Sequence, residues 1–142
     1  MSLDAAIYAK VTSVATATIG TRMYPSIIPA KTRVGGVMIN TPMPAVTYQR
    51  ISTVPFRSHD GPSGLVRARF EIVAWADTNV AAKGLADVIR VGLDCIGWTT
   101  GGDVVQVAWV DGEMLVYEDN TTTDEPRYGV AMEFLFLHNE TT

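Results

Sequence analysis

Two alternating segments, Ala45-Val46-Thr47-Tyr48-Gln49-Arg50-Ile51-Ser52-Thr53-Val54 and Leu65-Val66-Arg67-Ala68-Arg69-Phe70-Glu71-Ile72-Val73-Ala74-Trp75, flank an expected ten-residue Gly- and Pro-containing loop at 55–64 and lead straight into an amphipathic segment. Side chains alternate across a strand, so Val66, Ala68, Phe70, Ile72 and Ala74 share one face and belong to a core. Arg67, Arg69, Glu71, Val73 and Trp75 share the other face, and antiparallel pairing would bring Arg50 near this charged row. The cluster Asp77, Thr78 and Asn79 supplies capping groups for a helix that is predicted to reach about residue 96 and stop at Gly97. Its apolar stripe reads Ala81, Leu85, Val88, Ile89, Gly92, Leu93 and Ile96, and its polar stripe Lys83, Asp87, Arg90 and Asp94. Such a helix lies on a sheet.

Outward from this unit, residues 3–19 predict a first helix, with Ser2 as N-cap, Asp4 in the first turn, and Leu3, Ile7, Val11 and Val14 at helical spacing before Gly20. Residues 21–44 hold Pro25, Pro29, Pro42, Pro44 and the Gly35-Gly36 pair, and predict no helix; Val37-Met38-Ile39 suits a short strand. A connection of that length is an expected loop or arm lying on a neighbouring molecule. Beyond a Gly-rich turn (Gly97, Gly101, Gly102), strands are expected at 104–110 and 114–118, joined by an Asp111-Gly112 hairpin turn. An acidic loop at 118–126 precedes a closing strand at 128–137. The sum is one α+β domain over residues 1–142: a mixed or antiparallel sheet of about four to five strands with two helices packed on it.

The 142 residues suffice for one core but not two. They are 47% apolar and 18% charged, where soluble domains average about a quarter charged, so some apolar surface is expected to face a partner. No membrane span is expected: the longest uncharged stretch, 34–49, is broken by glycines and prolines. The first residues lack the basic and apolar regions of a secretory signal. A single cysteine excludes an intrachain disulfide and suits a reducing compartment.

Net charge is −4, which argues against a general nucleic-acid binder. Its distribution is uneven. Residues 1–70 carry eight basic side chains and two acids, a net of +6, and residues 71–142 carry three basic side chains and thirteen acids, a net of −10. Either the halves neutralise each other within one fold, or they form two faces of opposite sign that associate head to tail, a contact that closes into a ring when the rotation permits.

Catalytic chemistry finds little support. His59 beside Asp60 lies in a Gly/Pro loop, where neighbours seldom address one substrate, and His138 falls in the expected fraying tail. There is no CxxC or HxxxH pair for zinc, no GxGxxG or phosphate-binding loop, and the acids do not match an EF-hand. Cys95 is expected to be a small buried hydrophobe. Trp75, Trp98 and Trp109 are expected core or interface anchors.

The order of elements, with Pro44-Ala45-Val46-Thr47-Tyr48-Gln49, Gly61-Pro62-Ser63-Gly64, Arg69-Phe70-Glu71-Ile72-Val73-Ala74-Trp75-Ala76-Asp77-Thr78 and the closing Tyr128-Gly129-Val130-Ala131-Met132-Glu133-Phe134, resembles the tail-terminator or tail-completion proteins of long-tailed phages and gene transfer agents. The resemblance covers residues 44–96 and the closing strand; Asn79-Val80 replaces an aromatic that often begins the helix in that family. It implies a structural virion protein without enzymatic activity or cofactor, assembled in the host bacterial cytoplasm into a hexameric ring at the head-proximal end of the tail. Its implied partners are further copies of itself, the tail tube protein and a head-tail connector or stopper, with DNA passing through the lumen unread. Candidate subunit-contact residues are Arg50, Arg67, Arg69, Glu71, Asp111, Glu113, Glu118 and Asp119, with Arg50, Arg67 and Arg69 of one copy meeting acids of the 111–125 region on the next. Another head-tail joining or tail-tube component, and a small-molecule-binding or enzymatic α+β domain with its pocket near His59 and Asp60, are the alternatives.

Overall fold

The computed structural model describes residues 3–19, 22–25, 31–34, 36–40, 44–58, 61–100, 103–120 and 125–139. In chain order the elements are α1 (Leu3–Val14), α2 (Thr16–Ile19), β1 (Met23–Pro25), β2 (Lys31–Val34), β3 (Val37–Asn40), β4 (Ala45–Ser58), β5 (Gly61–Ala76), α3 (Asn79–Leu93), β6 (Ile96–Thr100), β7 (Asp103–Asn120) and β8 (Glu125–Asn139). Six strands, more than the four to five expected, form one sheet in the order β1-β4-β5-β8-β7-β6. The β1–β4 pair is parallel and the others antiparallel, so the sheet is mixed.

The first helix covers the expected residues but is interrupted at Ala15. Thr12 Oγ1 donates to Tyr8 O at 2.7 Å, and Thr16 Oγ1 donates to Thr12 O. Such back-bonding to the preceding turn bends a helix without ending it, and Ala15 N–H and Ile19 N–H still bond to Val11 O and Ala15 O at 3.0 Å. Leu3, Ala6, Ile7, Val11, Ala15 and Ile19 bury one continuous stripe. The described part of residues 21–44 has regular elements. It contains β1 and a separate β2–β3 hairpin, where Val34 pairs with Val37 and Gly36 takes a φ of 83° that suits glycine.

The stretch read as a loop at 55–64 is mostly ladder, since Pro55 pairs with Val66, Arg57 with Pro62 and Ser58 with Gly61. Likewise Asp111-Gly112 is not a hairpin turn. β7 is one long strand with a register shift between Val110 and Gly112, because uninterrupted β8 pairs with it on both sides of that point. An Asp-Gly pair that would turn a free chain becomes a bulge when a partner strand continues past it.

The core lies between the sheet and helices α1 and α3, where Phe70, Ile72, Met132, Phe134, Phe136, Ile89 and Leu93 are fully buried. Phe136 packs edge-on to Phe70 (5.6 Å between centroids) and Trp98 (6.1 Å), and stacks on Phe134 (5.8 Å). Trp98 also ties α1 to the sheet, donating from Nε1 to Ala6 O at 3.3 Å while Lys10 Nζ sits 5.7 Å from its ring centroid. Thr78 caps α3 by accepting from Ala81 N–H at 3.2 Å. Leu85, Ile89 and Leu93 are buried as expected, but Ala82 and Ala86 complete the buried stripe, while Ala81 and Val88 are exposed. The small Ala82 and Ala86 let the helix lie close to the sheet. α3 stops three residues early: Asp94 is the C-cap, and the left-handed residue is Cys95 (φ 60°), not Gly97. Gly97 belongs to β6, where a side chain would collide with backbone oxygens of β7.

Candidate functional site

The sheet face opposite the helices carries the charged row expected on β5. Arg67 is exposed there, and Arg69 and Glu71 are half-buried. Arg69 Nη1 donates to Asp111 Oδ2 at 2.7 Å and to Glu133 Oε2 at 2.9 Å. The hydrogen bond that Arg69 donates to Asp111 chiefly, with the charges of both acids, raises the Arg69 pKa. The basic and acidic halves of the chain thus meet inside one molecule at Arg69. Glu71 faces Glu133 directly across the β5–β8 ladder, and Arg69, one pleat along, offsets that like-charge pair.

Arg50 is not part of this row. It pairs in register with Phe70, on the helix side, where its guanidinium stands 5.3 Å from the Phe70 ring centroid and Nη2 lies 3.5 Å from Asp4 Oδ1. Val46 and Tyr48 share its parity along β4 and point toward the core, so Arg50 follows them. Glu113 and Met114 are exposed beside the β7 bulge and border two shallow depressions. One, of about 390 Å³, includes Lys83, Asp87 and Val130; the other, of about 200 Å³ on the charged face, includes Glu71, Ala131 and Glu133. Glu118 and Asp119 pair in the β7–β8 ladder with Arg127 and Pro126.

The charged face also holds an apolar seam that alternation alone did not identify. Thr47, Val73 and Ala131 are buried although they lie on the sheet face opposite the described helices. Trp75 accounts for this: its Nε1 donates to Thr47 Oγ1 at 3.1 Å, and its ring lies where a Cβ on Gly129 would be 2.8 Å from Trp75 Cε3. Trp75 stands in register with Gly129, a pairing that only the tertiary structure shows.

His59 and Asp60 lie outside the described residues. His138 is not in a frayed tail but buried in β8, in register with Val66 and Val105. Cys95 is exposed, with Sγ 3.9 Å from Asp94 Oδ1, because the left-handed turn after α3 directs it outward instead of into the apolar stripe. Among the described residues no group of three or more His, Cys, Asp or Glu side chains converges to hold a metal ion, and no helix is long and apolar enough to cross a membrane.

No family model matches the chain, and no curated protein matches it. A solved structure does: a chain of the "Virion of native gene transfer agent (GTA) particle" superposes over 96% of this chain and 94% of its own length, with a TM-score of 0.63 at 14% identity. The two chains share a fold from end to end.

Proposed function

We propose that the protein is a structural component of a phage-like or gene-transfer-agent virion, and specifically a ring-forming tail terminator that caps the tail tube, stops its polymerisation and joins it to the head connector. The observation that carries this reading is the end-to-end likeness to a virion chain. The resemblance of residues 44–96 and 128–134 to tail-terminator proteins narrows the role, and a surface with exposed Ile51, Val54, Val88, Val91 and Met114 suits a subunit that buries area against neighbours. Its partners are further copies of itself, in a hexamer on the family pattern, the tube protein and the connector. Net charge of −4 suits a lumen along which DNA slides without being gripped through its phosphates.

Electron micrographs and mass photometry of the purified protein, alone and with tail tubes, test the reading. Closed rings, or rings seated on tube ends, are the expected result. Open-ended tubes would make it a tube subunit, and a strictly monomeric protein that never associates with tails would refute the assembly role.

A further inference from the structure

Two strands leave part of one side open. β4 pairs with β1 only at Val46, Thr47 and Tyr48, so its outer edge from 49 to 58 has no strand beside it among the described residues. β7 pairs with β6 only as far as Ala108, and the Asp94 carboxylate accepts from Val110 N–H at 3.1 Å, closing that end of the gap. From 111 to 120 the outer edge of β7 is likewise without a described strand. These stretches have the same length and lie at opposite sides of the sheet. Such edges present backbone donors and acceptors to any strand laid alongside.

Their charges are opposite. By sequence, residues 49–58 contain Arg50 and Arg57 and no acid, and residues 111–120 contain Asp111, Glu113, Glu118 and Asp119 and no base; Arg50 is paired with Asp4 and Asp111 with Arg69 within the subunit, which leaves the formal signs of the two stretches opposite. Each also offers exposed apolar surface, Ile51 and Val54 on β4 at 47% and 44%, and Met114 on β7 at 63%. Both depressions described above share Glu113 and Met114 and so flank the β7 edge on its two sides. Two β4 edges brought together would oppose arginine to arginine, and two β7 edges would oppose acids to acids. Only the unlike pairing is electrostatically favourable.

We propose that copies of this chain join edge to edge, the 49–58 edge of β4 on one copy lying beside the 111–120 edge of β7 on the next, so that the sheet continues from subunit to subunit. The occupant of each edge is therefore a second copy of the chain. The contact is heterologous and has a direction, which closes into a ring when the rotation per subunit divides a full turn. Register shifts at 50/52 and 55/57 in β4 and at 110/112 in β7 make both edges irregular, and Pro55 interrupts the first, which restricts the alignments that fit and opposes indiscriminate strand addition.

The inference rests on the ring reading, and a charge-swap experiment separates the two. One variant, Arg50→Glu with Arg57→Glu, turns the β4 edge from +2 to −2; another, Glu113→Lys with Glu118→Lys and Asp119→Lys, turns the β7 edge from −4 to +2. Each alone should assemble about tenfold more weakly or not at all by mass photometry. Their equimolar mixture should restore assembly, because each altered edge then meets a complementary one. Thr53→Glu with Arg57→Glu leaves the Arg50 stack on Phe70 in place and reads the same contact if the first variant unfolds early. Folded variants that assemble like the wild type, or a mixture that stays dispersed, would overturn the edge contact while leaving the ring reading intact. A monomeric wild type would overturn both.

Discussion

The same substitution at two glycines should change stability in opposite directions. Gly84 is exposed within α3, and a Cβ there would meet nothing within 4 Å. Alanine should therefore gain about 0.5–1 kcal/mol from its better helix propensity and smaller loss of backbone entropy. Gly97 lies where β6 is pressed against β7, and a Cβ would sit 2.3 Å from Gln106 O and 2.8 Å from Val105 O. Both obstacles are backbone, so strand β6 must shift and take Trp98 with it, at a cost of about 2–3 kcal/mol as for overpacked cores. For a domain of this size 1 kcal/mol moves the melting midpoint by about 3 °C. Gly84→Ala should melt about 2–3 °C above the wild type and Gly97→Ala about 6–9 °C below it. Far-UV circular dichroism melts at matched protomer concentration provide the comparison, because assembly itself raises the midpoint. A Gly97→Ala protein as stable as the wild type would show that β6 does not approach β7 this closely, and would remove the basis for placing the end of the open β7 edge at Val110.

Phe136 has three aromatic neighbours and no exposure, so Phe136→Ala should cost about 3–5 kcal/mol in urea unfolding, and Phe136→Leu distinctly less. Burial, and then the Asp4 charge, raise the Tyr48 pKa above 10.0; folding stability should be unaffected by Tyr48 below pH 10 and decline as pH rises through its higher folded-state value, a decline that Tyr48→Phe should lessen. Cys95 should react with a thiol reagent in the native protein, and Cys95→Gly should abolish that reaction while raising stability by up to about 1 kcal/mol, since glycine accepts the left-handed φ freely. Asp111→Asn should release Arg69 to Glu133 alone and leave the urea unfolding midpoint nearly unchanged, because solvent screens a pair on this open sheet face.

Much of this architecture can be read from residue patterns. The period-two alternation of β5 assigns Val66, Ala68, Phe70, Ile72 and Ala74 to the core, and all five are buried. Thr78 marks the start of α3, and Asp87 and Arg90 lie 3.1 Å apart on its outer face as their spacing requires. These features are local: they depend on backbone geometry over one or two turns of helix or a single strand, and nearby residues suffice to determine them. The charged row of Arg67, Arg69 and Glu71 is legible for the same reason.

What lay beyond the sequence depends on which strand lies beside which. Asp111-Gly112 has the composition of a hairpin turn, and only the continuous β8 partner makes it a bulge that brings Asp111 to Arg69. Cys95 follows an apolar stripe and resembles a buried residue, until the strand after α3 requires a left-handed turn one residue past the cap. The open edges at 49–58 and 111–120 are a property of strand order, a non-local quantity to which no single segment contributes alone. Local patterning therefore determined the elements and their inner faces, whereas the tertiary pairing decided where charges meet and which edges remain for a neighbour, because hydrogen-bond register is set by the partner strand and not by the strand itself.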